Sequence, residues 1–86
     1  MEECIQNLND LACNLKLVRK HVGISQQKIA NKLHIERTTY SYYERGKTAP
    51  DIFMLIKLAK LFNVELSLLV SKNITDESLL ESNHSY

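Results

Sequence analysis

Ser25 to Gly46, SQQKIANKLHIERTTYSYYERG, is the stretch that decides how this chain folds. Ser25 is a good N-cap for a helix in which Ile29, Ala30 and Leu33 fall on one face, and the chain then turns at His34 before Ile35 anchors another helix. That next helix is expected from about Arg37 to Arg45, ending at Gly46, whose tolerance of positive φ suits the position after a helix. Its two faces differ. Tyr40, Tyr43 and Glu44 share one by three- and four-residue spacing, whereas Arg37, Thr38, Ser41, Tyr42 and Arg45 share the other. The segment predicts two short helices joined by a tight turn, with Tyr40 and Tyr43 in the core and the second face in solvent.

Helical periodicity extends to both sides of this segment and no stretch alternates as a strand would, so the fold class is all-α, with five helices. The first runs from Asn9 or Asp10, as N-cap, to His21, with Leu11, Leu15, Val18 and Val22 on its apolar stripe and Gly23 as the stop. Pro50 and the N-cap Asp51 open a fourth helix that reaches Phe62, with Ile52, Leu55, Ile56, Leu58 and Ala59 as its other apolar residues. Glu65 to Val70 forms a short fifth helix that gives Leu66 and Leu69 to the core. Residues 9–70 are then the domain and 1–8 an extension. The tail, 71–86, has too few apolar residues to pack alone and is read as mobile or used in self-association, with a marginal helix over Asp76 to Glu81.

A chain of 86 residues with 44% hydrophobic content builds one small core and leaves no room for a separate substrate domain. No catalytic constellation, Gly-rich phosphate loop or metal-ligand spacing is present, so the expectation is a non-enzyme without metal, cofactor or small-molecule substrate. There is no run of 18 apolar residues, and the acidic start (Met1, Glu2, Glu3) is unlike a signal peptide, which points to the cytoplasm and away from membranes. Cys4 is read as a free thiol and Cys13 as a small buried hydrophobe of the first helix.

The net charge of +1 conceals a segregation. Eight bases (Lys16, Arg19, Lys20, Lys28, Lys32, Arg37, Arg45, Lys47) face two acids (Glu36, Glu44) between Lys16 and Lys47, while the rest of the chain has three bases and eight acids. A basic cluster that coincides with two helix starts is what neutralising phosphates requires.

These residues together resemble a known family. Arg19, Gly23-Ile24-Ser25-Gln26, Ile29-Ala30, Tyr40-Ser41, Glu44-Arg45-Gly46-Lys47, and Pro50 followed by Leu58-Ala59-Lys60 are similar to the phage-repressor (Cro or XRE) type of helix-turn-helix domain. The resemblance covers Leu15 to Leu69. It implies a compact five-helix, lambda-repressor-like domain that binds double-stranded operator DNA, commonly as a homodimer, and regulates transcription, here as a repressor.

A recognition helix lies in the major groove with its N-terminal residues nearest the bases, which makes Arg37 and Thr38 the first candidates for base contact and Ser41 and Tyr42 the next. Arg37 can donate two hydrogen bonds to guanine O6 and N7; Thr38 offers a hydroxyl, and a methyl for thymine. Tyr42 has two readings, a contact to a thymine methyl or phosphate on one hand and ordinary packing on the other. Gln26 can donate its amide to a phosphate beside the free N–H groups of its helix start, the task of the equivalent glutamine in the family. Gln27, Lys28, Arg45 and Lys47 are further phosphate candidates, Arg45 being equally readable as a solvated helix end. The resemblance also implies that Arg19 and Glu44 form an ion pair bracing the first helix against the third.

Three positions depart from the family pattern. His34 stands where glycine often occupies a left-handed turn and is read as a turn residue rather than a ligand or pH sensor. Lys28 replaces the acid that would complete a capping box, and Glu36 is a poor cap that brings negative charge near DNA. The rival reading is a protein-binding adaptor, antitoxin or anti-repressor whose partner docks on Leu61, Leu68, Leu79 and Leu80.

Overall fold

The structure is a computed structural model, and it describes residues 7–71. Five helices follow in order: α1 (Leu8–Val22), α2 (Gln26–Leu33), α3 (Arg37–Glu44), α4 (Ile52–Phe62) and α5 (Leu66–Leu69). α2 packs on α3, α1 lies against α3, α4 and α5, and α4 packs on α5. The all-α expectation holds.

Helix boundaries follow the capping residues. Asn7, not Asn9 or Asp10, starts α1: its side chain accepts from the Asp10 backbone N–H at 2.9 Å, so Leu8 joins the stripe and Asp10 sits in the favourable first turn. Ser25 caps α2 by accepting from Lys28 N–H at 3.1 Å, and Asp51 caps α4 by accepting from Met54 N–H at 2.8 Å. Glu36 stands at the N-cap of α3 without a side-chain cap bond. α2 ends at His34 in the left-handed region (φ 59°), and α4 ends in the same way at Asn63 (φ 58°). Asparagine adopts this conformation more readily than most residues.

The core is built from Leu11, Leu15 and Val18 of α1, Ile29, Ala30 and Leu33 of α2, Tyr40 and Tyr43 of α3, Leu58, Ala59 and Phe62 of α4, with Val64 and Leu69. Tyr40 and Tyr43 meet edge to face, with centroids 6.0 Å apart. Leu66 packs against this core without being fully buried. Asn14 is the one polar residue of the described part that is buried as a whole, backbone and side chain together; its amide donates to the carbonyls of Leu69 at 2.8 Å and Ser71 at 2.7 Å, tying α1 to the end of α5.

Four apolar positions lie elsewhere than their sequence pattern suggests. Cys13 is exposed, because α1 turns Ala12, Asn14 and Leu15 inward and leaves position 13 on its outer side. Val22 ends α1 beyond the reach of the core and is exposed. Ile52 and Ile56 are exposed too, with Phe53 at 72%, since α4 is apolar over more of its circumference than the core covers. The 1–6 part of the extension, most of the tail and the marginal helix over Asp76 to Glu81 lie outside the described residues, as does Cys4.

Candidate nucleic-acid interface

α2, the His34 turn and α3 form one rigid corner. The corner is closed by backbone bonds from Ile35 N–H to Ala30 O at 3.0 Å and from His34 N–H to Asn31 O at 3.2 Å, while Ile35 packs against the core. Tyr40 and Tyr43 hold the inner side of α3. On its outer side Arg37, Thr38, Tyr42 and Arg45 are exposed and Ser41 is half-buried, so the five residues emerge together along one strip.

Glu44 fixes this strip to the rest of the domain. Its side chain is only 2% exposed, and its carboxylate accepts from Arg19 twice, Nε to Oε2 at 2.6 Å and Nη2 to Oε1 at 3.2 Å. Arg19 also donates from Nη1 to the Ile24 carbonyl at 3.0 Å, which draws the chain between α1 and α2 into the same bracket. A bidentate guanidinium–carboxylate pair is directional as well as strong. Burial pushes the Glu44 carboxyl up, but the hydrogen bonds from Arg19 and Gln26, together with the nearby Tyr40 hydroxyl, outweigh it and hold the group below its usual value. The same hydrogen bond with Glu44 raises the Arg19 guanidinium. The Tyr40 hydroxyl is buried beside the pair, outside hydrogen-bonding geometry; burial and then the nearby carboxylate drive its pKa well above the ordinary phenol value.

The phosphate candidates are arranged in two groups. Lys28 is exposed at the start of α2, and Gln27 donates its amide to Asn31 Oδ1 at 2.9 Å along the helix surface. Gln26 is half-buried and already engaged: its Nε2 donates to Glu44 Oε1 at 3.0 Å, leaving one N–H on that nitrogen. Arg45 and Lys47 form the second group, at the other end of α3. Gly46 (φ 71°) closes that helix in a left-handed turn, with Lys47 N–H donating to Tyr42 O at 3.0 Å. The turn folds the Lys47 ammonium back over the Tyr42 ring, 5.8 Å from its centroid.

Sequence reasoning did not foresee that last pairing, nor the Gln26–Glu44 bond. Residues 42 and 47 lie five apart, off the helical repeat, and only the left-handed Gly46 brings them together. Gln26 and Glu44 are 18 residues apart, with no local pattern to join them. Among the rival's docking residues, Leu61 and Leu68 pack against the core, and Leu79 and Leu80 lie outside the described residues.

Residues 15–69 match a family model described as helix-turn-helix. The chain belongs to the Cro/C1-type helix-turn-helix family. Within that family it is 38% identical over 63 residues to the transcriptional regulator ImmR of Bacillus subtilis, covering 73% of this chain and 50% of ImmR. It is 36% identical over 64 residues to the cryptic phage CTXphi transcriptional repressor RstR of Vibrio cholerae, covering 72% of this chain and 58% of RstR. The chain spans about half the length of the first curated helix-turn-helix relatives it matches. In structure it is similar to the DNA-binding domain of BldD (TM-score 0.65, 25% identity, 73% of this chain and 92% of that one). It is also similar to the hypothetical transcription factor NHTF from Neisseria (TM-score 0.72, 25% identity, 94% and 93%). Among the described residues of this helix-turn-helix chain, no helix is long and apolar enough to cross a membrane, and no cluster of His, Cys, Asp and Glu stands ready to hold a metal ion.

Proposed function

We propose that the chain is a sequence-specific, double-stranded DNA-binding transcriptional regulator, acting as a repressor and reading the major groove with α3. The observation that carries this reading is the outward strip of Arg37, Thr38, Ser41, Tyr42 and Arg45 on a helix whose other side is held by Tyr40, Tyr43 and Glu44. Base readout needs a rigid helix with free polar side chains at its N-terminal end, and Arg37 and Thr38 are at that end. Tyr42 is exposed, and with Lys47 over its ring it forms a cation-bearing plate better suited to a phosphate or thymine methyl than to a core. Gln26, Gln27, Lys28, Arg45 and Lys47 flank the strip as phosphate contacts that set register and supply the salt-dependent part of the affinity.

Binding as a homodimer goes with this reading. Two recognition helices would then stand about one DNA turn, ~34 Å, apart on an inverted repeat. The repressor role is supported by the likeness to RstR, and a cytoplasmic address follows from acting on operator DNA.

The experiment is selection of bound sequences from random duplex DNA, followed by titration of the selected duplex at several salt concentrations. An enriched inverted repeat, bound with a steep salt dependence, is the expected result. Recovery of no enriched sequence would favour the protein-binding reading instead. That second reading is favoured by one observation, the exposed Ile52, Phe53 and Ile56 on α4.

A further inference from the structure

Glu44 does two things with one carboxylate, and only one of them concerns Arg19. Oε1 accepts from Arg19 Nη2 at 3.2 Å and from Gln26 Nε2 at 3.0 Å. An ionised carboxylate accepts hydrogen bonds and donates none, so the Gln26 amide turns its nitrogen, not its oxygen, toward Glu44. The carboxylate is buried and held at two points by Arg19, which makes it a fixed anchor for that nitrogen. Arg19 also neutralises it, so an anion arriving beside Gln26 meets an ion pair rather than a bare negative charge.

Resting on the reading of Gln26 as a phosphate contact, we propose that Glu44 is a positioning residue for DNA binding: it anchors the Gln26 amide nitrogen so that its second N–H is ready to donate to a backbone phosphate at the start of α2. A free glutamine side chain on a helix start samples many rotamers and both amide orientations, and ordering it on binding costs entropy that a pre-held side chain has already lost. The backbone at the same place is prepared in a similar way. Ser25 Oγ takes the Lys28 N–H at 3.1 Å, and the N–H groups of Gln26 and Gln27 at the helix start have no partner within α2. A phosphate oxygen there meets backbone donors and an oriented side-chain donor together.

The test uses the full chain and a duplex selected from a random pool. Gln26→Ala is measured in the natural background and in an Arg19→Met/Glu44→Met background, in which apolar side chains of similar size replace the buried pair so that the fold is retained. Thermal melting is recorded first to establish that each variant is folded. The expected result is about a tenfold loss of affinity on Gln26→Ala in the natural background and almost none in the Met/Met background, where the amide has lost its anchor. An equal loss in both backgrounds would overturn the proposal, since Gln26 would then find the phosphate without Glu44. No loss in the natural background would remove the Gln26 contact itself, a different failure that takes the proposal with it. In the unaltered protein the nitrogen-15 spectrum gives a second readout: on adding duplex, one Gln26 side-chain N–H proton should shift strongly and the one held by Glu44 little. Equal shifts, or none, would overturn the proposal without any variant.

Discussion

Arg19 in α1 and Glu44 at the end of α3 are joined by two hydrogen bonds, at 2.6 and 3.2 Å, although 25 residues separate them in the chain. The pair connects the outer face of α3, through its last turn, to the long first helix. Removing one partner leaves a buried charge unmatched, which costs far more than replacing both. Glu44→Ala leaves the partly buried Arg19 guanidinium without its partner and is expected to lower stability by about 1–3 kcal/mol, and Arg19→Met/Glu44→Met by much less. Thermal melting of the two variants beside the parent checks this. An unchanged melting temperature for Glu44→Ala with abolished DNA binding would move Glu44 from the scaffold to the contact surface.

The same pair sets an acid dependence. The folded-state pKa of Glu44 lies below its ordinary value of 4.5, so its contribution to stability is fully present above that value and is lost as the pH falls through the depressed folded value. Melting temperatures taken from about pH 6 down to about pH 3 should therefore fall more steeply for the parent than for Glu44→Gln. Parallel curves would mean that the carboxylate gains nothing from its partners in the folded state.

Gly46 is placed by conformation and by space. Its φ of 71° is unfavourable for residues with a side chain, and a Cβ there would stand 2.6 Å from Asn9 Oδ1. Gly46→Ala is expected to cost about 1–2 kcal/mol by chemical denaturation. Because the Asn9 side chain is exposed and can move aside, adding Asn9→Ala should recover little of that loss. Full recovery would show that crowding, not φ, makes glycine necessary.

Lys47 sits over Tyr42 at the edge of the recognition strip. If it contacts phosphate, Lys47→Ala weakens binding to every duplex alike and reduces the salt slope by about one. Fluorescence anisotropy at several salt concentrations, on selected and on scrambled duplexes, measures both quantities. A loss confined to the selected duplex would make Lys47 a base contact.

Much of the fold was legible in the sequence because each boundary carries its own chemistry. Ser25, Asp51 and Gly23 stand where their caps are needed, and the repeats Leu11-Leu15-Val18 and Leu58-Ala59-Phe62 point into one core. The start of α1 was misplaced since Asn7, Asn9 and Asp10 are all competent caps, and the choice depends on which side chain reaches the third backbone N–H beyond it. Cys13 and Ile52 show the opposite limit: apolar character does not say which of several apolar faces meets the core. In the candidate interface, the outward strip followed from helical spacing on α3 alone. The anchoring of Gln26 by Glu44, the Lys47–Tyr42 contact and the Asn14 clamp join residues whose separation has no helical period, so they emerge only when the chain is folded.

The most direct test of α3 as the reading helix is the affinity of Arg37→Ala for the selected duplex and for a set in which each base pair is changed in turn. A loss of about 1–3 kcal/mol, with discrimination relaxed at a single position of each half-site and retained elsewhere, is the result expected of a residue that reads one base. An equal loss on every duplex, with discrimination intact at all positions, would contradict it.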